Sequence, residues 1–351
     1  MLKIYIGEQV PNLPLTAVVR TVAGATPFEG GGLNNHGYTY LASPLFESVN
    51  SVEEAEYIIL PHDYGFVVSM RRYLKYFSDL SIKSGKPILV FAPGDFPTDV
   101  KISNAVVFKY SAYRRFIKPN EIIMPPPVED LLVGRTFVPR KKEIRPTVGF
   151  CGWAMSSGVR QAVIFAIKYF MADLVSLFSR DRLFSTKKKG IWWRKRALDV
   201  LRSNDRVGTD FIVRSTYSGA LKTVSLEPVQ ARSEYVENIL SNDFTLCVKG
   251  DGNYSYRFFE VLSLGRFPLL LDTDCVLPLE GEIDYDEFSV RVDSSKISEL
   301  PYEAFNFWNS ISPEEVTRRE FKAREVFERF LRLDCFFRFV LRKDFLKRYH
   351  H

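Results

Sequence analysis

Short apolar runs that stop abruptly at glycine or proline, separated by stretches of helical periodicity, are the feature that most restricts this chain. Leu2–Ile6 ends at Gly7, Glu56–Leu60 (EYIIL) is halted by Pro61, and Pro87–Ala92 (PILVFA) stops at Pro93-Gly94-Asp95. Between the last two, Met70–Ser84 spaces Tyr73, Leu74, Phe77 and Leu80 as one face of a helix. Runs of this length with no polar alternation need burial on both faces, which a parallel sheet covered by helices supplies. A second such series follows. Thr147–Cys151 (TVGFC), Thr209–Arg214, Phe244–Val248 and Phe267–Leu271 (FPLLL) read as strands, and Arg160–Phe178 and Arg257–Leu264 as helices. Between the series, Pro119 to Pro146 is rich in proline and charge, including Pro125-Pro126-Pro127 and Arg140-Lys141-Lys142. Proline stiffens a connector and suppresses pairing, so a domain crossing belongs there. At ~150 residues per domain, the 351 residues suit two. The expected division is residues 1–140, residues 141–312, and a helical segment over 313–351 that crosses back toward the first domain.

A hydrophobic fraction of 46% and a charged fraction of 26% exclude disorder, collagen and coiled coil. The net charge of +6 suits phosphate-bearing ligands, but the basic residues are dispersed, and nucleic acid is not an expected partner. Cys151, Cys247, Cys275 and Cys335 lie far apart without partner histidines at metal spacing, so a disulfide framework and a zinc site are both unexpected. The opening MLKIYIGEQVP lacks a leader pattern, and the longest apolar stretch, Val159 to Phe178, is interrupted by Arg160, Gln161, Lys168 and Asp173. A cytoplasmic protein, soluble or peripheral on the inner face of a membrane, is expected.

The chemistry concentrates in Asn242 to Val292. A buried strand (FTLCV) runs into Lys249, Gly250, Asp251, Gly252 and Asn253, and this loop delivers a helix starting near Ser255 and Tyr256. Strand, glycine loop and helix N-terminus make a natural anion site, most often for a diphosphate. Arg257 lies in the first helical turn, where a guanidinium can pair with phosphate oxygens. Glu260, one turn on, would be repelled by phosphate unless it accepts hydrogen bonds from hydroxyls further along the ligand, such as a ribose diol. The strand FPLLL then brings Asp272 and Asp274 to its carboxyl end, where open α/β sheets bind ligands.

These residues resemble the nucleotide-sugar half of the exostosin-type glycosyltransferases. The resemblance rests on Gly250-Asp251, Ser255-Tyr256-Arg257, Glu260, Gly265, Phe267-Pro268-Leu269-Leu270-Leu271-Asp272 and Ile283-Asp284-Tyr285-Asp286-Glu287-Phe288-Ser289-Val290, in order over about fifty residues. Upstream, Arg145–Gly152 resembles the strand that opens the family's donor domain, with Arg160 matching an arginine after it. The first 140 residues are similar only through Ala55–Pro61. The resemblance implies an α/β fold of GT-B type, two Rossmann-like domains facing a cleft. It also implies transfer from a nucleotide-diphosphate donor, a UDP-sugar, to a glycan or lipid-linked glycan, with inversion, in polysaccharide biosynthesis. The donor is a substrate, and neither a cofactor nor a divalent metal is expected. Ser255 and Arg257 would contact the diphosphate and Glu260 the ribose. A fucosyltransferase-like enzyme using a GDP-sugar and a catalytically silent nucleotide-binding subunit are the alternatives.

Inversion needs a base at a strand's carboxyl end in the opposing domain. His62 and Asp63 follow EYIIL, Asp95 follows PILVFA, and His36 sits in the glycine-rich run Glu29–Gly37. Each equally suits a loop residue bonding its own backbone. Asp272-Thr273-Asp274 and Asp284-Tyr285-Asp286 both have the D-x-D form of metal-dependent transferases, and two copies of so short a pattern suggest chance. Lys187–Arg196 joins cations to Trp192 and Trp193 and suits either a solvated face or membrane headgroups. The terminal segment, with Phe327, Phe330, Leu331, Phe336, Phe337, Phe339 and Val340, suits either a membrane surface or packing across both domains.

Overall fold

The computed structural model describes residues 1–23, 33–95, 98–154, 189–214 and 227–350, with helical backbone at isolated positions between 163 and 174. The Arg160–Phe178 helix therefore lies outside the described residues as a unit, as do Arg160, Lys187 and Lys188, and the His36 side chain.

Two parallel sheets carry the chain. The first is built from β1 (Lys3–Ile6), β2 (Glu47–Val49), β3 (Tyr57–Ile59), β4 (Ile88–Phe91), β5 (Ala105–Lys109) and β6 (Glu121–Ile123) in the order β2-β1-β3-β4-β5-β6. The second holds β7 (Thr147–Trp153), β8 (Gly208–Arg214), β9 (Phe244–Val248), β10 (Phe267–Asp272) and β11 (Val290–Asp293) in the order β11-β10-β9-β7-β8. Every pairing is parallel. β3, β4, β5 and β9 are buried at every position, as their largely apolar sequences require.

The helices used below are α1 (Ala17–Arg20), α2 (Tyr64–Val67), α3 (Arg71–Ser84), α4 (Gly190–Arg202), α5 (Pro228–Leu240), α6 (Tyr256–Ser263), α7 (Leu300–Ser310), α8 (Pro313–Val326), α9 (Leu333–Val340) and α10 (Lys343–Leu346). α3 buries Leu74 and Phe77 and ends at Gly85 with φ 69°, a left-handed turn that a side chain would strain. α8 opens with a capping box: Ser312 accepts from the Glu315 amide and Glu315 reaches back to the Ser312 amide, with Pro313 in the first turn.

The proline-rich stretch is not all connector. Its first residues, Glu121–Ile123, form β6 at the edge of the first sheet, a position that tolerates flanking prolines because one side of the strand needs no partner. A buried Lys109–Glu121 ion pair of 2.6 Å joins β5 to this edge. Further along, the Arg140 amide donates to Glu320 of α8 and its guanidinium to Asp243, while Trp308 of α7 donates to the Glu143 carbonyl. Glu320 also faces Arg266 at 3.2 Å.

The terminal segment is broken rather than continuous. α8 passes through a π-turn (Phe327–Leu331) into α9 and α10. Phe327, Leu331, Phe336, Phe337 and Val340 are buried. Phe337 lies 5.8 Å from Phe91 and 6.2 Å from Phe108, ring to ring, on the first sheet, and Lys343 pairs with Glu56 at 2.6 Å. Among the described residues, no helix is long and apolar enough to cross a membrane.

Candidate active site at the carboxyl ends of the two sheets

The Lys249–Ser255 loop, at the carboxyl end of β9, packs against the first domain. The Asn253 amide donates to Ser111 Oγ at 2.9 Å and its side chain to the Ala112 carbonyl at 2.9 Å. Tyr254 donates its hydroxyl to Asp95 at 2.9 Å, and a Cβ on Gly252 would stand 2.9 Å from the Asp95 Cα. The Gly250 amide donates to the Tyr254 carbonyl. Two amides expected to cradle a diphosphate are thus already committed. Gly252 serves a close approach of backbone to backbone across the domains, and Asp251 stays exposed. Lys249 is buried with its ammonium 5.7 Å from the Tyr113 ring, and burial pulls it down to about 8 while Asp251 opposes the shift.

Arg257 points elsewhere, toward β7. Its Nη2 donates to the Cys151 carbonyl at 2.8 Å, and its guanidinium stacks over Phe150 at 4.2 Å, with Tyr235 of α5 at 5.6 Å. Gly152 makes room for it: φ there is 151°, and a Cβ would sit 2.7 Å from Nη2. Burial works against the Arg257 charge, and Tyr235, Cys247 and Glu260 more than offset it, so the group sits above its ordinary value. Arg214 ends β8, donating to Glu234 at 3.0 Å and to the Ala231 carbonyl. Both guanidiniums lie close enough to act on the Cys151 thiol, whose value burial raises and they lower. The Nε–H groups of Arg214 and Arg257 are buried and donate to no group among the described residues. Two half-satisfied guanidiniums at the ends of adjacent strands leave donors for an anion.

Glu260 accepts from the Tyr235 hydroxyl and from Arg232 at 3.3 Å, and Arg232 in turn reaches Glu129 at 2.7 Å. Ser255 begins α6 in extended backbone without a side-chain cap, and Tyr256 stands 5.7 Å, ring to ring, from Tyr254. Arg194 of α4 donates to the Trp153 and Lys249 carbonyls, so the basic run sends one cation to this edge and Trp193 into the core. The sequence singles out neither Arg214, Arg232 nor Tyr235 and gives Arg194 only as one cation of the basic run; Arg214 carries a signal as the last residue of a strand.

The Asp272 and Asp274 carboxylates do not converge. Asp272 accepts from the Cys275 amide at 2.8 Å, whereas Asp274, at φ 68°, binds Arg115 of the first domain at 2.7 Å. Among the described residues, no group of three or more His, Cys, Asp or Glu is placed to hold a metal ion.

In the first domain, His62 is buried with both ring nitrogens engaged: Nε2 accepts from the Val10 amide and Nδ1 donates to the Pro14 carbonyl, each at 2.9 Å. No nitrogen is left for an acceptor proton. Asp95 holds the Tyr254 hydroxyl. Asp63 differs from both. It faces a cavity, and one of its oxygens is buried without a partner among the described residues.

Residues 194–304 match the family model of the Exostosin GT47 domain. The match covers the Asn242–Val292 block and all four arginines of the site, and begins after Arg145–Gly152. No curated protein matches the sequence. Among solved structures, a glycosyltransferase from Rickettsia africae ESF-5 is similar over 99% of this chain and 98% of that one, at 10% identity and a TM-score of 0.39, too loose a likeness to argue from. Residues 194–304 are therefore similar to the Exostosin GT47 domain, in a chain built on two parallel α/β sheets.

Proposed function

We propose that this glycosyltransferase draws its sugar from a nucleotide diphosphate, a UDP-sugar, bound at the carboxyl edge of β7, β8 and β9, and transfers it with inversion to a glycan or lipid-linked glycan. The observation that carries the reading is the seat of Arg257: a glycine without which it would not fit, a phenyl ring beneath it, and an Nε–H without a partner among the described residues, as on Arg214, which also acts on Cys151. In this reading the two guanidiniums take the diphosphate, and Ser255, with the first turn of α6, flanks it. Glu260, held in place by Tyr235 and Arg232, keeps lone pairs for the ribose hydroxyls. As the sugar–oxygen bond breaks, negative charge grows on the leaving diphosphate, and fixed cations stabilise that charge without reorganising. The arginines supply this neutralisation, so the reading calls for no metal ion.

Arg257→Ala tests it. Calorimetric titration with UDP and GDP should show tight binding by the wild type and a loss of roughly tenfold or more in the variant, since hydrogen bonds to charged groups are worth about 1.5–3 kcal/mol. Transfer should fall with it, and the variant should stay folded with a modestly lowered melting temperature, because the bond to the Cys151 carbonyl and the stack over Phe150 go with the side chain. Preference for GDP would assign a guanosine-linked donor. Binding unaffected by the substitution would remove the diphosphate from this edge.

A further inference from the structure

A cavity of about 160 Å³ opens in the first domain, lined by Arg20, Tyr38, Asp63, Phe66 and Tyr110, with Phe337 reaching it from α9. A void of ~150 Å³ accepts a six-membered ring. Asp63 stands just past the end of β3 and starts α2, so its carboxylate faces the space beyond the strand's carboxyl end. The surrounding loop is pinned by His62, whose ring ties Val10 and Pro14 to the residue before Asp63. Of the Asp63 oxygens, Oδ1 is buried and accepts nothing from the described residues, although the Thr16 hydroxyl bonds to the carboxylate. Tyr38 and Tyr110 share a hydroxyl–hydroxyl bond of 2.7 Å along another wall. Phe66 is 51% exposed, so an aromatic face meets solvent. The wall also leads toward the donor side: the Tyr110 ring is 5.8 Å from Tyr254, and Tyr254 is 5.7 Å from Tyr256, the neighbour of Arg257.

We propose that this cavity is the acceptor subsite, that it takes an uncharged sugar ring against Phe66, and that Asp63 is the general base for the acceptor hydroxyl. The proposal rests on the donor reading above. Arg20 is the one cation lining the cavity among the described residues, and it already acts on Asp63. An acidic sugar would meet the carboxylate without a second cation to offset it. In the step assigned to Asp63, the acceptor oxygen forms a bond to the anomeric carbon as its proton passes to the carboxylate. The bond from that carbon to the diphosphate oxygen breaks, its electron pair leaves with the diphosphate, and the proton is later released to water.

The groups facing Asp63 are Thr16 and Arg20 from the α1 segment, His62 from its own turn, and Tyr38 and Tyr110 from the opposite wall. Burial pushes the carboxyl up to about 6, with Thr16, Arg20 and His62 pulling the other way. A base in that range is ionised at neutral pH and still takes a proton readily.

The test uses the full chain, a panel of UDP- and GDP-linked hexoses as donors, and methyl glycosides as acceptors. Asp63→Asn should lower kcat on the order of 100- to 10,000-fold and abolish the acidic limb of the kcat/KM profile near pH 6, with UDP affinity unchanged. Phe66→Ala should raise the acceptor KM and leave kcat in place. Asp63→Ser serves as a second variant if the first fails to fold. Transfer by Asp63→Asn at the wild-type rate overturns the assignment. A wild type that binds UDP or GDP yet transfers to no methyl glycoside overturns the neutral-sugar pocket and leaves the donor site standing. Binding of neither nucleotide overturns the donor reading and this one with it.

Discussion

Replacing Gly152 by alanine puts a methyl group 2.7 Å from Arg257 Nη2 and asks a residue with a Cβ to hold φ at 151°. The guanidinium is the end of a flexible chain and will yield. In yielding it loses the 2.8 Å bond to the Cys151 carbonyl and its place 4.2 Å over Phe150. The backbone conformation costs about 1–3 kcal/mol of stability on its own, and the displaced stack about 0.5–2 kcal/mol more. The functional consequence is separate. A guanidinium pushed out of line forfeits its bond to the diphosphate, about 1.5–3 kcal/mol, or roughly 10- to 150-fold in nucleotide affinity. Gly250 is the control. Its added Cβ would meet nothing within 4 Å, and its amide is already given to Tyr254. Gly250→Ala should stay within about 0.5 kcal/mol of wild type in stability and bind nucleotide normally. Titration calorimetry with UDP, alongside thermal melts, reads both. Unchanged affinity in Gly152→Ala would refute the arginine seat. Loss of affinity in Gly250→Ala would instead restore the loop as the cradle.

Asp63→Asn should change stability in a pH-dependent way. The native carboxyl sits at about 6 against an ordinary 3.8, so the native state holds its proton more tightly, and the stability this gives is present below pH 3.8 and lost as pH rises through 6. Above pH 6.5 the variant should therefore be more stable than wild type by up to about 3 kcal/mol, the two converging in acid, and denaturant unfolding at several pH values would show this divergence or its absence. Phe337→Ala should cost about 3–5 kcal/mol, because a buried ring is removed from its place against the stacked rings of Phe91 and Phe108 on the first sheet. A melting temperature unchanged in that variant would mean that α9 does not fasten the two sheets together.

Most of the fold could be read from the chain, because buried parallel strands write themselves as apolar runs. β1, β3, β4, β7, β8, β9 and β10 each stand where such a run was seen, within a residue or two. The omissions have separate reasons. β2 and β11 are short edge strands whose outward residues are polar or charged, and β6 is a three-residue edge inside a stretch whose prolines dominate its composition. β5 (AVVFK) had the right pattern but no glycine or proline to mark its ends. The site was less legible. Gly250-Asp251-Gly252 is the sequence form of a phosphate loop, yet in the structure it meets Asp95 and Tyr254. The glycine that makes room for the arginine is Gly152, a hundred residues upstream on another strand.

Local chemistry alone decided which segments are strands, where they stop, and that Arg257 and Glu260 share one helix. Those choices depend on burial and backbone sterics within a few residues. Tertiary structure decided what the side chains face: Arg257 toward Gly152 and Phe150, His62 into its own loop, Asp63 into an enclosed space, and Phe337 onto the opposite sheet. A guanidinium or carboxylate takes its function from groups within a few ångströms. In a doubly wound fold those groups come from strand ends far apart in the chain, brought together only when both sheets have formed.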